Sequence, residues 1–260
     1  QGKVVFTLHG LGSKGLGLGL LNFSGIPEFL NKFLVYKFRY DALITVAHRS
    51  LTQKPRSRIV KTIANGVNLQ KFDHFPESKS PKFFYVLWVG RFVSVKGLPV
   101  LIDAATNLVK KYRQLRFKLI GGGPEKTTII KLIKSRKLGK YFQIKNAIFG
   151  DNLVREYKSA NAFVLPSIVS EGFPVTVVEA MAAKLPVVAS DIGDTKLLVK
   201  NSVTGYLVQP GNQSDLGDKL SKIIQKNGKQ MGFNGYKLVA KKYTWELITK
   251  RVYAVYSQIL

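Results

Sequence analysis

The sequence predicts an α/β protein with parallel sheets in two units, and three observations carry that expectation. From Phe83 to about Lys242, short apolar strands alternate with helical segments, the pattern of a parallel sheet covered on both faces. A polar stretch, Asp73 to Lys82 with Pro76 and Pro81, separates this region from an earlier strand-helix-strand alternation between Lys3 and Ile63. Several strands run directly into glycine, proline or serine, at the carboxyl ends where open α/β sheets bind ligands. The expected organisation is a first domain over 1–75, a linker over 76–82, a second domain over 83–242 and a terminal helix over 243–260.

Taken in order, the first strand is Lys3 to Leu8, and Gly10-Leu11-Gly12-Ser13-Lys14-Gly15 follows it. That run fits a dinucleotide-binding glycine pattern, which needs a helix directly after it and an acid at the end of the next strand. The chain continues instead Leu16-Gly17-Leu18-Gly19, which is poor helix. Asp41 precedes its strand (Ala42 to Ala47) rather than following it, so the pattern is a decoy. Leu16 to Tyr40 is rich in Leu and Phe, interleaved with Lys32, Lys37 and Arg39. It reads as the core-facing helix of the first domain or as a basic segment lying on a bilayer.

In the second domain a strand at Phe84–Val89 ends in Gly90-Arg91, and Lys96-Gly97 precedes an apolar helix from Leu98 to Val109. Arginine offers a planar fork for phosphate oxygens and lysine a point charge. A strand at Phe117–Ile120 runs into Gly121-Gly122-Gly123-Pro124-Glu125, where glycine allows close approach of a ligand or simply a tight turn. Strands follow at Ile144–Phe149, Ala162–Leu165, Val187–Ala189 and Tyr206–Val208.

The most informative stretch is Pro166-Ser167 leading to Glu171-Gly172-Phe173-Pro174-Val175, with Glu179 eight residues after Glu171. A helix is expected to start near Pro174, where a missing N–H costs nothing. One carboxylate then lies in a loop at a strand's carboxyl end and the second inside the following helix. Between them the helix start offers unpaired N–H groups and a positive dipole end. Hydroxyl acceptors on either side of a phosphate site suit a sugar nucleotide. An ordinary loop before a buried helix would also show Val177, Val178, Ala180 and Met181 as core.

Together these motifs, in this order and spacing, resemble the retaining glycosyltransferase family 4, the "glycosyl transferases group 1" domain of the GT-B fold. The same holds for Phe149-Gly150, Pro186 to Ser190 and Thr204-Gly205-Tyr206-Leu207-Val208. Ile63-Ala64-Asn65-Gly66-Val67-Asn68 with Phe72 is similar to the family's linker motif, and Tyr243-Thr244-Trp245-Glu246 to the start of its terminal crossover helix. The resemblance implies two Rossmann-like domains, the first incomplete, and transfer of a sugar with retention from a nucleotide-diphosphate-sugar donor. It implies that Arg91 and Lys96 neutralise the diphosphate, with Gly90 and Gly122 lining the same site. The helix start at Gly172, Phe173, Pro174 and Val175 would add backbone N–H groups from every residue but Pro174, Glu179 would hold the ribose hydroxyls, and Glu171 would contact the transferred sugar. His9 becomes a candidate contact for donor sugar or acceptor. No cofactor and no bound metal are expected, the cations doing the work that Mg²⁺ does elsewhere. The expected acceptor is a glycan or a lipid-linked molecule. One departure stands out: Gly193-Asp194-Thr195-Lys196 replaces the usual pair of glycines followed by an acid, with Lys196 where the acid is common. The resemblance also implies strands ahead of the His9 strand, and the chain has no initiator methionine, so it reads as part of a longer protein.

Composition narrows the partners. The chain has no cysteine and only His9, His48 and His74, so a disulfide framework, a thiolate metal site and a histidine-rich metal site are excluded. No apolar run approaches the roughly 20 residues of a membrane span, and the chain enters a strand without a secretory signal. These features suggest a cytoplasmic protein. The net charge is +26, from 41 Lys and Arg against 15 Asp and Glu, and twelve cations face one acid, Glu125, between Thr106 and Lys145. Such a charge draws a protein to polyanions. No nucleic-acid-binding motif accompanies it, which favours an anionic membrane surface, at the inner face of the cell membrane, over nucleic acid. The alternative is a non-catalytic polyanion-binding protein on a decayed GT-B fold.

Overall fold

A computed structural model of the chain describes residues 3–8, 17–18, 21–22, 37, 39–48, 55–169, 172–226 and 228–260. The chain divides into two compact units, Gln1–Gly66 with Lys242–Leu260, and Val67–Lys241.

In the first unit, β1 (Val5–Leu8) is followed by a short antiparallel pair, β2 (Gly17–Leu18) and β3 (Leu21–Asn22), then β4 (Ala42–Thr45) and β5 (Ile59–Thr62). β1, β4 and β5 form a parallel sheet in the order β1-β4-β5, with Val5 beside Ala42 and Ala42 beside Ile59. Every residue of β4 is buried, as befits the central strand of a parallel sheet. The last helix of the chain, Trp245–Ser257, packs Ile248 and Val255 into the core formed by Ala42, Ile44 and Ile63. Gly66 has a structural reason to be glycine here: a Cβ would fall 2.9 Å from the backbone of Trp245.

The second unit begins with α1 (Leu69–His74), whose first turn is capped by Asn68 through its Oδ1 and the Lys71 N–H at 3.1 Å. Six parallel strands follow: β6 (Phe84–Val89), β7 (Leu115–Ile120), β8 (Phe142–Lys145), β9 (Ala162–Leu165), β10 (Val187–Ser190) and β11 (Gly205–Val208). They alternate with α2 (Leu98–Lys111), α3 (Lys126–Ser135), α4 (Gly150–Lys158), α5 (Val175–Ala182) and α6 (Thr195–Leu198). α7 (Gln213–Lys226), α8 (Lys229–Lys242) and the last helix, α9, complete the chain. The sheet order is β11-β10-β9-β6-β7-β8. From the centre outward, β6, β7 and β8 run one way and β9, β10 and β11 the other, which is the doubly wound arrangement. Trp88, Phe92, Phe117, Leu101, Ile102, Leu216 and Leu220 are among the residues that fill one face of this sheet. Each such side chain contributes roughly 1.5–3 kcal/mol by leaving water.

Several sequence expectations shift. The division expected at residue 75 moves to Gly66, and the stretch expected as a linker over 76–82 lies inside the second unit. The cause is packing: Phe72 of α1 is 4% exposed and meets the Tyr157 ring at 6.0 Å, while Lys71 pairs with Asp151 at 2.9 Å. The strand expected over Ile144–Phe149 is Phe142–Lys145, and Phe149 stands 79% exposed just before α4. Pro174 is the residue before the first turn of its helix rather than inside it. Strand Ala42–Ala47 ends two residues earlier, at Thr45. Most of Leu16 to Tyr40, and the Gly10 to Gly15 run, lie outside the described residues.

Candidate functional site

The strand order reverses between β6 and β9, and in such sheets the ligand crevice opens at the carboxyl ends of the two strands flanking that reversal. The residues that follow β6 are Gly90-Arg91, and those that follow β9 are Pro166-Ser167. The two loops are tied together: the Ile168 N–H donates to the Val95 carbonyl at 2.9 Å. Gly97 adopts a left-handed φ of 64°, and a Cβ there would fall 1.9 Å from the Pro166 carbonyl oxygen. Only glycine allows that approach. Ser94–Lys96 forms a single 3₁₀ turn before it. Arg91 is exposed and Lys96 half-buried.

The loop after β7 closes the same side. The Gly90 N–H donates to the Ile120 carbonyl at 3.0 Å, and the Phe92 N–H to the Gly122 carbonyl at 2.8 Å. A Cβ on Gly121 would meet the Gly90 carbonyl oxygen at 1.8 Å, whereas one on Gly122 would meet nothing within 4 Å. Of the glycine run, Gly121 therefore serves packing and Gly122 faces open space.

Beyond β9, Gly172 is exposed, Phe173 half-buried and Pro174 buried. Pro174 accepts from the Val177 N–H at 3.0 Å as α5 begins at Val175. The first N–H groups of a helix have no partner within it, so Val175 and Thr176 present donors at this end. One turn in, Glu179 is half-buried, and its Oε2 accepts from the Tyr157 hydroxyl at 2.8 Å. Burial pushes the Glu179 carboxyl above the ordinary glutamate range, while the Tyr157 hydrogen bond pulls it down. Tyr157 itself is raised well above its usual value by burial and then by the Glu179 charge.

The structure thus gathers Gly90, Arg91, Lys96, Gly122, Gly172 to Val175 and Glu179 around the carboxyl ends of β6, β7 and β9. Glu171 and His9 lie outside the described residues. At the departure from the family pattern, Gly193 takes a left-handed φ of 54°. Asp194 and Thr195 are buried at 3% and 1%, and Lys196 is exposed. The Thr204-Gly205 motif proves structural. The Thr204 hydroxyl donates to the Leu198 carbonyl at 2.9 Å, and a Cβ on Gly205 would sit 2.0 Å from the Val187 carbonyl oxygen. Tyr157 escaped the sequence reading because a tyrosine on a helix looks like any core aromatic. A separate cavity of about 390 Å³ between α2 and α7, lined by Asp103, Asn107, Gln213 and Asp218 among others, is not part of this crevice.

A doubly wound sheet with cations, glycines and a helix start at its reversal has the arrangement at which open α/β sheets bind ligands. A family model described as "Glycosyl transferases group 1" matches residues 70–238, well over half of the 260 residues, and the chain belongs to that family. Among curated proteins it is 25% identical over 265 residues to a phosphatidyl-myo-inositol mannosyltransferase of Mycobacterium leprae. That match takes in 100% of this chain and 68% of the relative. It is 30% identical over 234 residues to an uncharacterized glycosyltransferase of Methanocaldococcus jannaschii, covering 86% of this chain and 63% of the relative. The chain therefore spans about two thirds of the length of these relatives. Among solved structures, sucrose-phosphate synthase from Thermosynechococcus elongatus superposes with a TM-score of 0.79 at 24% identity, over 98% of this chain and 67% of that one. Anabaena HepE in complex with UDP gives a TM-score of 0.81 at 20% identity, over 98% and 72%. The shared fold is GT-B, as the sequence suggested. Among the described residues no helix is long and apolar enough to cross a membrane.

Proposed function

We propose that this chain provides the donor-binding part of a retaining, metal-independent glycosyltransferase that moves a sugar from a nucleotide-diphosphate-sugar to a glycan or lipid-linked acceptor. The observation that carries this reading is the convergence at the sheet reversal. Arg91 and Lys96, the start of α5 and the half-buried Glu179 all belong to elements that meet there. UDP is named with HepE, and the mannosyltransferase relative is named for phosphatidyl-myo-inositol. The first fits a nucleotide-sugar donor and the second a lipid-linked acceptor, while the net charge of +26 suits an anionic surface such as the inner face of the cell membrane.

The chemistry follows from charge. The bond between the anomeric carbon and the diphosphate oxygen breaks, leaving negative charge on the diphosphate. Arg91 and Lys96 face that charge as a fork and a point cation, and the N–H groups of Gly172, Phe173 and Val175 add the positive helix end. These groups do what a metal ion does elsewhere, stabilising charge as it develops. Glu179 accepts from the ribose hydroxyls and Glu171 from hydroxyls of the transferred sugar. The acceptor oxygen bonds to the anomeric carbon on the face the diphosphate leaves, and its proton passes to a diphosphate oxygen, so configuration is retained. His9 is the candidate contact on the acceptor side.

Calorimetric titration with UDP, GDP and their sugar conjugates tests this reading. Saturable binding of one nucleotide family is expected. A second reading, a polyanion-binding protein without turnover, is favoured by the net charge of +26. It predicts binding to anionic surfaces without a saturable nucleotide site.

A further inference from the structure

Glu179 is a flexible side chain with a demanding role, since a glutamate that receives a pair of hydroxyls must be both aimed and ionised. In this fold both demands fall on one neighbour. The Tyr157 hydroxyl lies 2.8 Å from Glu179 Oε2 and 3.5 Å from the Thr176 carbonyl oxygen on the same helix. Tyr157 is fully buried. Its ring is held between Phe72 of α1, at 6.0 Å and 60°, and Phe163 of β9, at 5.9 Å and 36°. A ring fixed on both sides sends its hydroxyl to one place, so the carboxylate it grips loses the rotamer freedom that a lone glutamate keeps.

We propose that Tyr157, seated by Phe72 and Phe163, is a positioning residue that holds the Glu179 carboxylate toward the donor's vicinal hydroxyls. Its hydroxyl occupies Oε2 and leaves Oε1 and the remaining lone pairs for the ligand. The inference rests on the reading of this crevice as a nucleotide-sugar site. Ionisation is the second half of the role. Burial favours the neutral acid, which would offer a proton where the ligand also offers one. The Tyr157 hydrogen bond opposes that shift, because it favours the charged form. Among the described residues Tyr157, on α4, is the titratable group that acts on Glu179. Removing its hydroxyl therefore raises the carboxyl further, and binding that needs the carboxylate fails at a higher pH.

The experiment is nucleotide titration of the wild-type chain, Tyr157→Phe and Glu179→Gln near pH 8 and near pH 5.5, the second closer to the ordinary glutamate value of about 4.3. Tyr157→Phe keeps the ring packing, and a thermal melt alongside monitors folding. About a tenfold weaker affinity near pH 8, the order expected for one lost hydrogen bond to a charged group, with a larger deficit near pH 5.5, is the expected result. With a sugar donor and acceptor, KM should rise more than kcat falls. Wild-type affinity in Tyr157→Phe at both pH values, while Glu179→Gln binds weakly, would overturn the positioning role and leave the site intact. An equal loss at both pH values with a lowered melting temperature would also overturn it, marking Tyr157 as packing only. Wild-type affinity in Glu179→Gln would instead remove the site reading itself.

Discussion

Glu179 and Arg91 make different demands on a ligand, and their variants separate them. Glu179→Ala and Arg91→Ala are each expected to weaken nucleotide binding by about ten- to a hundredfold, the value of one or two charge-assisted hydrogen bonds. Titration with the nucleoside diphosphate alone measures both. Glu171→Ala should leave the nucleoside diphosphate bound and weaken binding or turnover of the sugar-bearing donor. Gly97→Ala tests a different claim, that the crevice is built by backbone contact. Its Cβ would fall 1.9 Å from the Pro166 oxygen at a left-handed φ, so we expect a loss of at least about 2 kcal/mol in denaturant unfolding. At this scale the sequence was informative where the chemistry is local. Arg91 stands just past a strand end and Gly97 just before a helix, and both could be read there. Tyr157 could not, since its role appears only when α4 packs beside α5. The glycine run was legible as a run, yet only the fold separates Gly121, which packs, from Gly122, which faces open space.

Elements were legible where apolar runs are bounded by turn residues. β6, β9 and β10 fall within a residue of the sequence expectation for that reason. β8 did not, because the apolar pair Ile148-Phe149 extends the pattern past Lys145, where pairing with β7 stops. α1 runs only two residues into the polar stretch whose prolines suggest a linker, and its attachment depends on Phe72 finding Tyr157. One tie between elements makes a testable claim. Lys118 of β7 is 8% exposed, and its Nζ donates to Glu156 Oε2 at 3.0 Å and to the Ser159 hydroxyl at 2.8 Å. Lys145 pairs with the other Glu156 oxygen. Burial alone would raise the Glu156 carboxyl, but the hydrogen bonds from Lys145 and Lys118 outweigh it and hold it below the usual range. A depressed carboxyl stabilises the fold above its unfolded value, about 4.3, and that stabilisation fades as pH falls through its lower folded value. Glu156→Gln should therefore lower stability near pH 7, and the difference from wild type should shrink in unfolding curves taken at about pH 3.

For the whole molecule, the net charge of +26 was plain in the sequence, and its distribution has a topological cause. In a parallel sheet with covering helices, every helix ends at the amino end of the strands, and cations there offset the negative helix termini. Lys110 and Lys111 close α2, and Lys134 closes α3. Arg116 lies 4.1 Å from the Phe83 ring and 5.1 Å from that of Tyr141, with Lys140 over the same Tyr141 ring at 5.2 Å. The strands' amino end is thus strongly basic, opposite the carboxyl end that holds the candidate site. Attraction to anionic vesicles is expected in low salt and should fall steeply by about 0.3 M, where the Debye length is only a few ångströms. Co-sedimentation across a salt series checks it. Nucleotide binding at the crevice should survive that salt. The decisive measurement is therefore calorimetric titration of UDP and GDP in about 0.3 M salt, with wild type and Glu179→Ala side by side. Saturable binding of one nucleotide, lost in Glu179→Ala, is the result this account predicts. No saturable binding of either, or binding indifferent to Glu179, would contradict it.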